Sequence, residues 1–183
     1  MFICPQNHLG NILKSEKLDN SLTLISLSDA DTHEIGKKIG KKLLNSDILL
    51  LYGEMGAGKT RITAGIAEGI GSKVSARSPT FVIINEYKGE KTLYHCDLFR
   101  ITDSHEAYDL DLSSKFDSGA TVVEWPDNFE ELFERNVLKI YIKFGKSENE
   151  RKFYFRQTDE RSEKLLTIIG KDLQEYSISA NEK

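Results

Sequence analysis

Between Asp47 and Ile70 the chain passes through an apolar run, a glycine-rich turn and a helical pattern, in that order. Asp47-Ile-Leu-Leu-Leu-Tyr52 is almost continuously apolar, as a strand buried on both faces is. Gly53-Glu54-Met55-Gly56-Ala57-Gly58-Lys59-Thr60 then matches G-x-x-x-x-G-K-[ST] at every specified position. Glycine reaches positive φ without a steric penalty and lets backbone amides approach an anion closely. Those amides, with the N-terminus of the following helix, make a phosphate cradle. A helix is expected from Lys59 to about Ile70, stopped by Gly71. This strand–loop–helix unit commits the chain to an α/β fold of the P-loop NTPase type, a mixed β-sheet flanked by helices.

Residue chemistry assigns roles within the loop. Gly53, Glu54, Met55, Gly56, Ala57 and Gly58 offer backbone to the phosphates, Lys59 brings its ammonium to the β- and γ-phosphates, and the Thr60 hydroxyl is placed for Mg²⁺. The expected ligands are ATP and Mg²⁺. A missing Asn-Lys-x-Asp pattern leans away from guanine.

The remaining elements fit around that unit. A strand is expected at Leu22–Leu27, then a helix capped within Ser28–Thr32 and running to about Leu44. Thr80–Tyr87 and Lys91–Leu98, joined by Lys88-Gly89, read as a hairpin. A short helix over 103–112, a strand at Ala120–Glu124, a helical turn in Asn128–Glu134, strands at Val137–Phe144 and Arg151–Gln157, and a helix over 160–170 complete the pattern. The expected organisation is an extension at 1–20, the nucleotide-binding domain at 21–158, and a C-terminal helix with a polar tail at 159–183.

A site of this kind needs a carboxylate for the metal or the attacking water. Glu124 closes an apolar strand, the Walker B arrangement, and Asp97 closes another. Both are candidate catalytic and metal-binding residues beside Lys59; which of them meets the metal and which the water stays open. Thr80, in Ser78-Pro79-Thr80-Phe81, reads either as a switch threonine on the γ-phosphate side or as a turn before a strand. His95 reads as a packed or hydrogen-bonded histidine, and Trp125 as packing at the core or rim.

Bulk properties exclude other classes. The net charge of −4 argues against broad nucleic-acid binding, although a local basic patch is compatible with it. No apolar run approaches the ~20 residues of a membrane span, and the N-terminus lacks the pattern of a secretory signal. Cys4 and Cys96 stand apart, outside any CxxC pair, and read as reduced thiols of a cytoplasmic protein.

Taken in order, Gly53–Thr60, Ser78-Pro-Thr-Phe81, Asn85-Glu-Tyr87, His95-Cys-Asp-Leu-Phe-Arg100 and Glu124-Trp-Pro126 resemble the TsaE (YjeE) family of bacterial P-loop ATPases. The likeness spans roughly residues 22–157 and takes in Thr32 and Gly36. It implies a role in forming threonylcarbamoyladenosine (t6A) in tRNA, alongside TsaD and TsaB homologues, with tRNA met indirectly through their complex. It implies that Thr60 and Glu124 bind magnesium, that Asp97 acts near the metal or the water, that Ser78–Phe81 resembles a switch segment, and that Thr32 lies near the nucleotide base. Phe99 stands where the family usually has tyrosine, Met55 where it has leucine, and a glycine common in the segment matched by Asp109–Leu112 is missing.

Two other readings are compatible with the loop. One is a small-molecule kinase with Arg151, Arg156 and Arg161 as a lid, although Arg151 and Arg156 look like strand residues. The other is an assembly switch with negligible turnover. Arg77 and Arg100 are the candidates for an arginine finger, and slow hydrolysis by the isolated chain is expected.

Overall fold

The computed structural model describes residues 22–77, 84–103, 106 and 115–177. The expectations for 1–20, for Ser78–Phe81 with Thr80, for most of 103–112 and for the end of the tail lie outside these residues.

Ten principal elements follow one another as β1 (Thr23–Ser26), α1 (Asp29–Gly40), β2 (Ile48–Tyr52), α2 (Lys59–Gly69), β3 (Ile84–Lys88), β4 (Thr92–Asp97), β5 (Ala120–Glu124), β6 (Val137–Phe144), β7 (Arg151–Gln157) and α3 (Glu160–Asp172). Short 3₁₀ turns occupy Glu130–Leu132 and Gln174–Tyr176. The strands form one seven-stranded sheet in the order β1-β7-β6-β2-β5-β4-β3. β4, β5, β2 and β6 run parallel, while β3 pairs antiparallel with β4, β7 with β6 and β1 with β7. The sheet is therefore mixed, as the pattern of helices and hairpins requires.

β2 and β5 lie at its centre, and every residue of both is buried. That is why their sequences are apolar without alternation. β6 and β7 alternate instead. Leu138, Ile140 and Ile142, with Phe153 and Phe155, join a core that also contains Ile35 of α1, Ile62 of α2 and Leu165 of α3. On the opposite face Ile48, Leu50, Tyr52, Cys96, Val123 and Tyr141 pack with Phe129 and Phe133. Burial there pushes the Cys96 thiol up to about 12, which leaves it protonated and unreactive at neutral pH.

The helix boundaries have local causes. α1 is capped by the Ser28 hydroxyl, which accepts from the Asp31 N–H. It ends at Gly40, earlier than Leu44, because Lys42 and Leu43 donate to the carbonyls of Ile39 and Gly40 and tighten the last turn. α3 opens on a capping box between Asp159 and Ser162. Gly71, at φ +89°, follows the end of α2 where a left-handed residue is needed.

α1 and α2 pack backbone to backbone. A Cβ added at Gly36, Gly40, Gly65 or Gly69 would overlap a carbonyl oxygen of the facing helix. Arg161 of α3 closes the opposite end of the molecule. Its guanidinium grips the buried carboxylate of Asp47, just before β2, through contacts of 2.7 and 2.6 Å.

Candidate active site

The carboxyl ends of β2, β5 and β4 meet at one edge of the sheet. In the parallel register Leu51 of β2 stands beside Glu124 of β5, which stands beside Asp97 of β4. Ligands of open α/β sheets bind beyond such strand ends. The turn Gly53–Gly58 leaves β2 there and delivers the chain into α2. Gly53, Gly56 and Gly58 have φ of +154°, +78° and +104°. At Gly53 a side chain would also strike the Ile142 carbonyl of β6.

Gly58 is the N-cap of α2. It contributes no side-chain cap, and the first turn holds no acidic residue. Uncapped first-turn N–H groups and the helix dipole leave this end suited to an anion. α1 and α3, by contrast, begin on capped, acidic turns.

Lys59 is 4% exposed. Its Nζ donates to the carbonyls of Gly53 (2.6 Å) and Glu54 (2.9 Å) and lies 3.5 Å from the centre of the Trp125 ring. Burial lowers its pKa to about 8, against the opposing pull of Glu124 and Asp97. Trp125 has φ +59°, a costly conformation for a bulky residue. It is braced by Phe99, whose ring centre is 4.9 Å away. Trp125 thus packs against Phe99, and its ring also faces the site lysine.

Glu124 is 2% exposed and both of its oxygens are engaged. Oε2 accepts from the Thr60 hydroxyl at 3.2 Å, and Oε1 pairs with His95 Nε2 at 2.8 Å. His95 is fully buried, and its Nδ1 has no hydrogen-bond partner among the described residues. Asp97 accepts from the Phe99 N–H at 3.0 Å. A threonine hydroxyl and one or two carboxylates form the hard oxygen set that Mg²⁺ takes when phosphates and water complete its shell. The residues present fit that ion.

Thr32 is buried and shares a hydrogen bond of 2.8 Å with Ser26. A Cβ added at Gly58 would lie 3.7 Å from its methyl group, so Thr32 stands against the loop. Met55, at the crest, is 71% exposed. The structure thus gathers Thr32, Gly53–Thr60, Asp97 and Glu124 around one edge, while Thr80 lies outside the described residues.

The sequence of the family described as "Threonylcarbamoyl adenosine biosynthesis protein TsaE" matches residues 26–153. The chain belongs to the TsaE family. It is 38% identical over 148 residues to the Bacillus subtilis protein named tRNA threonylcarbamoyladenosine biosynthesis protein TsaE, covering 80% of this chain and 92% of that one. A Streptomyces coelicolor protein of the same name is 40% identical over 113 residues, covering 60% and 76% of the two chains. The crystal structure of Bacillus subtilis YdiB superposes with a TM-score of 0.71 at 30% identity, covering 86% of this chain and 99% of that one.

Other features of the site have no signal in the sequence. The contact between His95 and Glu124 joins neighbouring strands and has no local signature. Arg151 of β7 reaches the loop, its Nε 3.2 Å from the Ala57 carbonyl. Arg161 does not approach it, being held by Asp47 at the other end of β2. A three-arginine lid is therefore not what these side chains form.

Proposed function

We propose that this TsaE-family chain binds ATP with Mg²⁺ and hydrolyses it, in support of TsaD and TsaB homologues that form t6A in tRNA in the cytoplasm. The observation that carries the reading is the convergence of Lys59, Thr60 and Glu124 at the uncapped start of α2. Phosphoryl transfer to water depends more on positioning and charge neutralisation than on covalent chemistry, and these residues provide both.

Lys59 exchanges the Gly53 and Glu54 carbonyls for phosphate oxygens, while the amides of the turn and of the first turn of α2 hold the rest of the phosphate chain. Thr60 and Glu124 would hold Mg²⁺, which when bound neutralises charge on the phosphate oxygens. His95, through its 2.8 Å contact, fixes the rotamer of Glu124. Asp97 stands at the neighbouring strand end, where a carboxylate can accept a proton from water or meet the metal through one. Thr32 lines the loop on the side of α1. Thr80 remains a candidate contact to the γ-phosphate. No described helix is long and apolar enough to cross a membrane.

The kinase alternative loses its proposed lid with Arg161 tied to Asp47. The test uses the purified chain with Mg²⁺ and ATP, measuring nucleotide binding by calorimetry and phosphate release. Lys59→Ala is expected to reduce both by at least two orders of magnitude, about 3 kcal/mol. Binding and release at the unaltered level in that variant would refute the phosphate-loop assignment.

A further inference from the structure

One transverse row of residues crosses three strands directly beneath the phosphate loop. Arg151 of β7 pairs with Phe144 of β6 on one side and with Ser26 of β1 on the other. All three point to the helix-bearing face, and each reaches the loop by a different contact. Ser26 holds Thr32, which stands against Gly58. The Phe144 ring lies where a Cβ on Gly56 would meet it at 3.9 Å. Arg151 stacks on Phe144, 4.5 Å from the ring centre, and donates from Nε to the Ala57 carbonyl (3.2 Å) and from Nη2 towards the Gly56 carbonyl (3.4 Å).

The guanidinium is itself anchored. Nη1 donates to the carbonyls of Glu148 and Glu150 at 2.6 and 2.9 Å, in the turn that joins β6 to β7. The fork is thus fixed on one side by the hairpin and on the other by the loop. Such a planar, multiply bonded geometry suits arginine and is not reproduced by lysine.

We propose that Arg151 is a positioning residue for the phosphate loop. In a trans peptide the carbonyl and the following N–H point in opposite directions. Holding the Ala57 carbonyl against β7 turns the Gly58 N–H away from β7. With the Ala57 N–H already donated to the Glu54 carbonyl, the turn has its backbone orientation set before any anion arrives. Arg151 acts through the peptide planes and touches no phosphate. This assignment rests on the nucleotide reading above.

The experiment measures ATP affinity and steady-state hydrolysis for the wild type, Arg151→Met and Arg151→Lys, with apo thermal melts of each. Methionine keeps an unbranched stem against Phe144 and removes every donor. Arg151→Met is expected to weaken ATP binding and raise KM about tenfold, with kcat changed less than twofold, because orientation of the amides is felt equally in ground and transition states. Arg151→Lys, with a single ammonium nitrogen in place of a planar fork, is expected to recover part of the affinity. An unchanged KM in a folded Arg151→Met protein would overturn the assignment while leaving the nucleotide site intact. An equal loss of KM and kcat that tracks a lowered melting temperature, with no recovery in Arg151→Lys, would also overturn it, reducing Arg151 to a structural residue. If the wild type bound no ATP, the nucleotide reading would fall, and this inference with it.

Discussion

Individual residues here do their work through the partners that the fold supplies. Lys59 and Thr60 are legible in the sequence because a phosphate loop permits few alternatives at those positions. Glu124 is legible because a carboxylate ending an apolar strand is unusual. The geometry of Glu124 is a different matter, since it depends on a histidine in another strand and a threonine in a helix. Asp159 shows the same dependence in a case that can be titrated. Burial opposes its ionisation, but hydrogen bonds from Ser162 and from the backbone of Val137 and Asn136 outweigh that and hold its carboxyl below the ordinary value of 3.8. Because the folded-state pKa is depressed, the stabilisation is complete above that ordinary value and is lost as pH falls through the folded one. The group is only partly buried, so solvent screening keeps its worth on the scale of a helix cap. Asp159→Ala is expected to cost about 1 kcal/mol at neutral pH. Urea denaturation should show that difference shrinking as pH falls below 3.8, where the unfolded chain begins to take up the proton, and vanishing once the folded carboxyl, which titrates lower, is protonated.

Among the elements, the α1–α2 pair is where close approach controls the design. Four glycines let the two backbones touch beneath the helix face of the sheet. In the sequence they look like helix-weakening residues, since each costs ~1 kcal/mol relative to alanine in an open helix. Only the facing helix explains them. Gly65→Ala would drive a methyl group into the His33 carbonyl and is expected to destabilise the protein by about 2 kcal/mol or more, as overpacking does. Gly170→Ala in α3 is the control. There, among the described residues, the new methyl would meet the Leu22 side chain at ordinary contact distances of 3.8 and 3.9 Å, and a gain of about 0.5–1 kcal/mol is expected. Chemical denaturation of the two variants should move the midpoint in opposite directions. The hairpin β6–β7 shows the complementary case. Its alternation is readable strand by strand, yet its role as a floor for the loop arises only when Phe144, Arg151 and Ser26 come into register.

For the molecule as a whole, α3 is part of the core on the helix-bearing face of the sheet. Leu165, Leu166 and Ile169 of α3, with Leu173 after it, join the cluster that contains Leu24, Phe153 and Phe155. The family match stops at residue 153, before this helix begins. A chain ending at Thr158 would uncover those side chains and free the buried Asp47 carboxylate from Arg161. It is expected to lose its cooperative thermal transition, which circular dichroism would register. Retention of a sharp transition would show that the helix is dispensable to the core. What the sequence by itself determined was the phosphate loop, the central buried strands and the two acidic strand ends, because each is written in consecutive residues whose conformation follows from local sterics and apolar patterning. What only the tertiary structure decided was the partner of Glu124, the placement of Thr32 and the support of the loop by Arg151. Those contacts join residues as far apart as Ala57 and Arg151, 94 positions along the chain, and they exist because the sheet aligns strands whose sequences carry no record of one another.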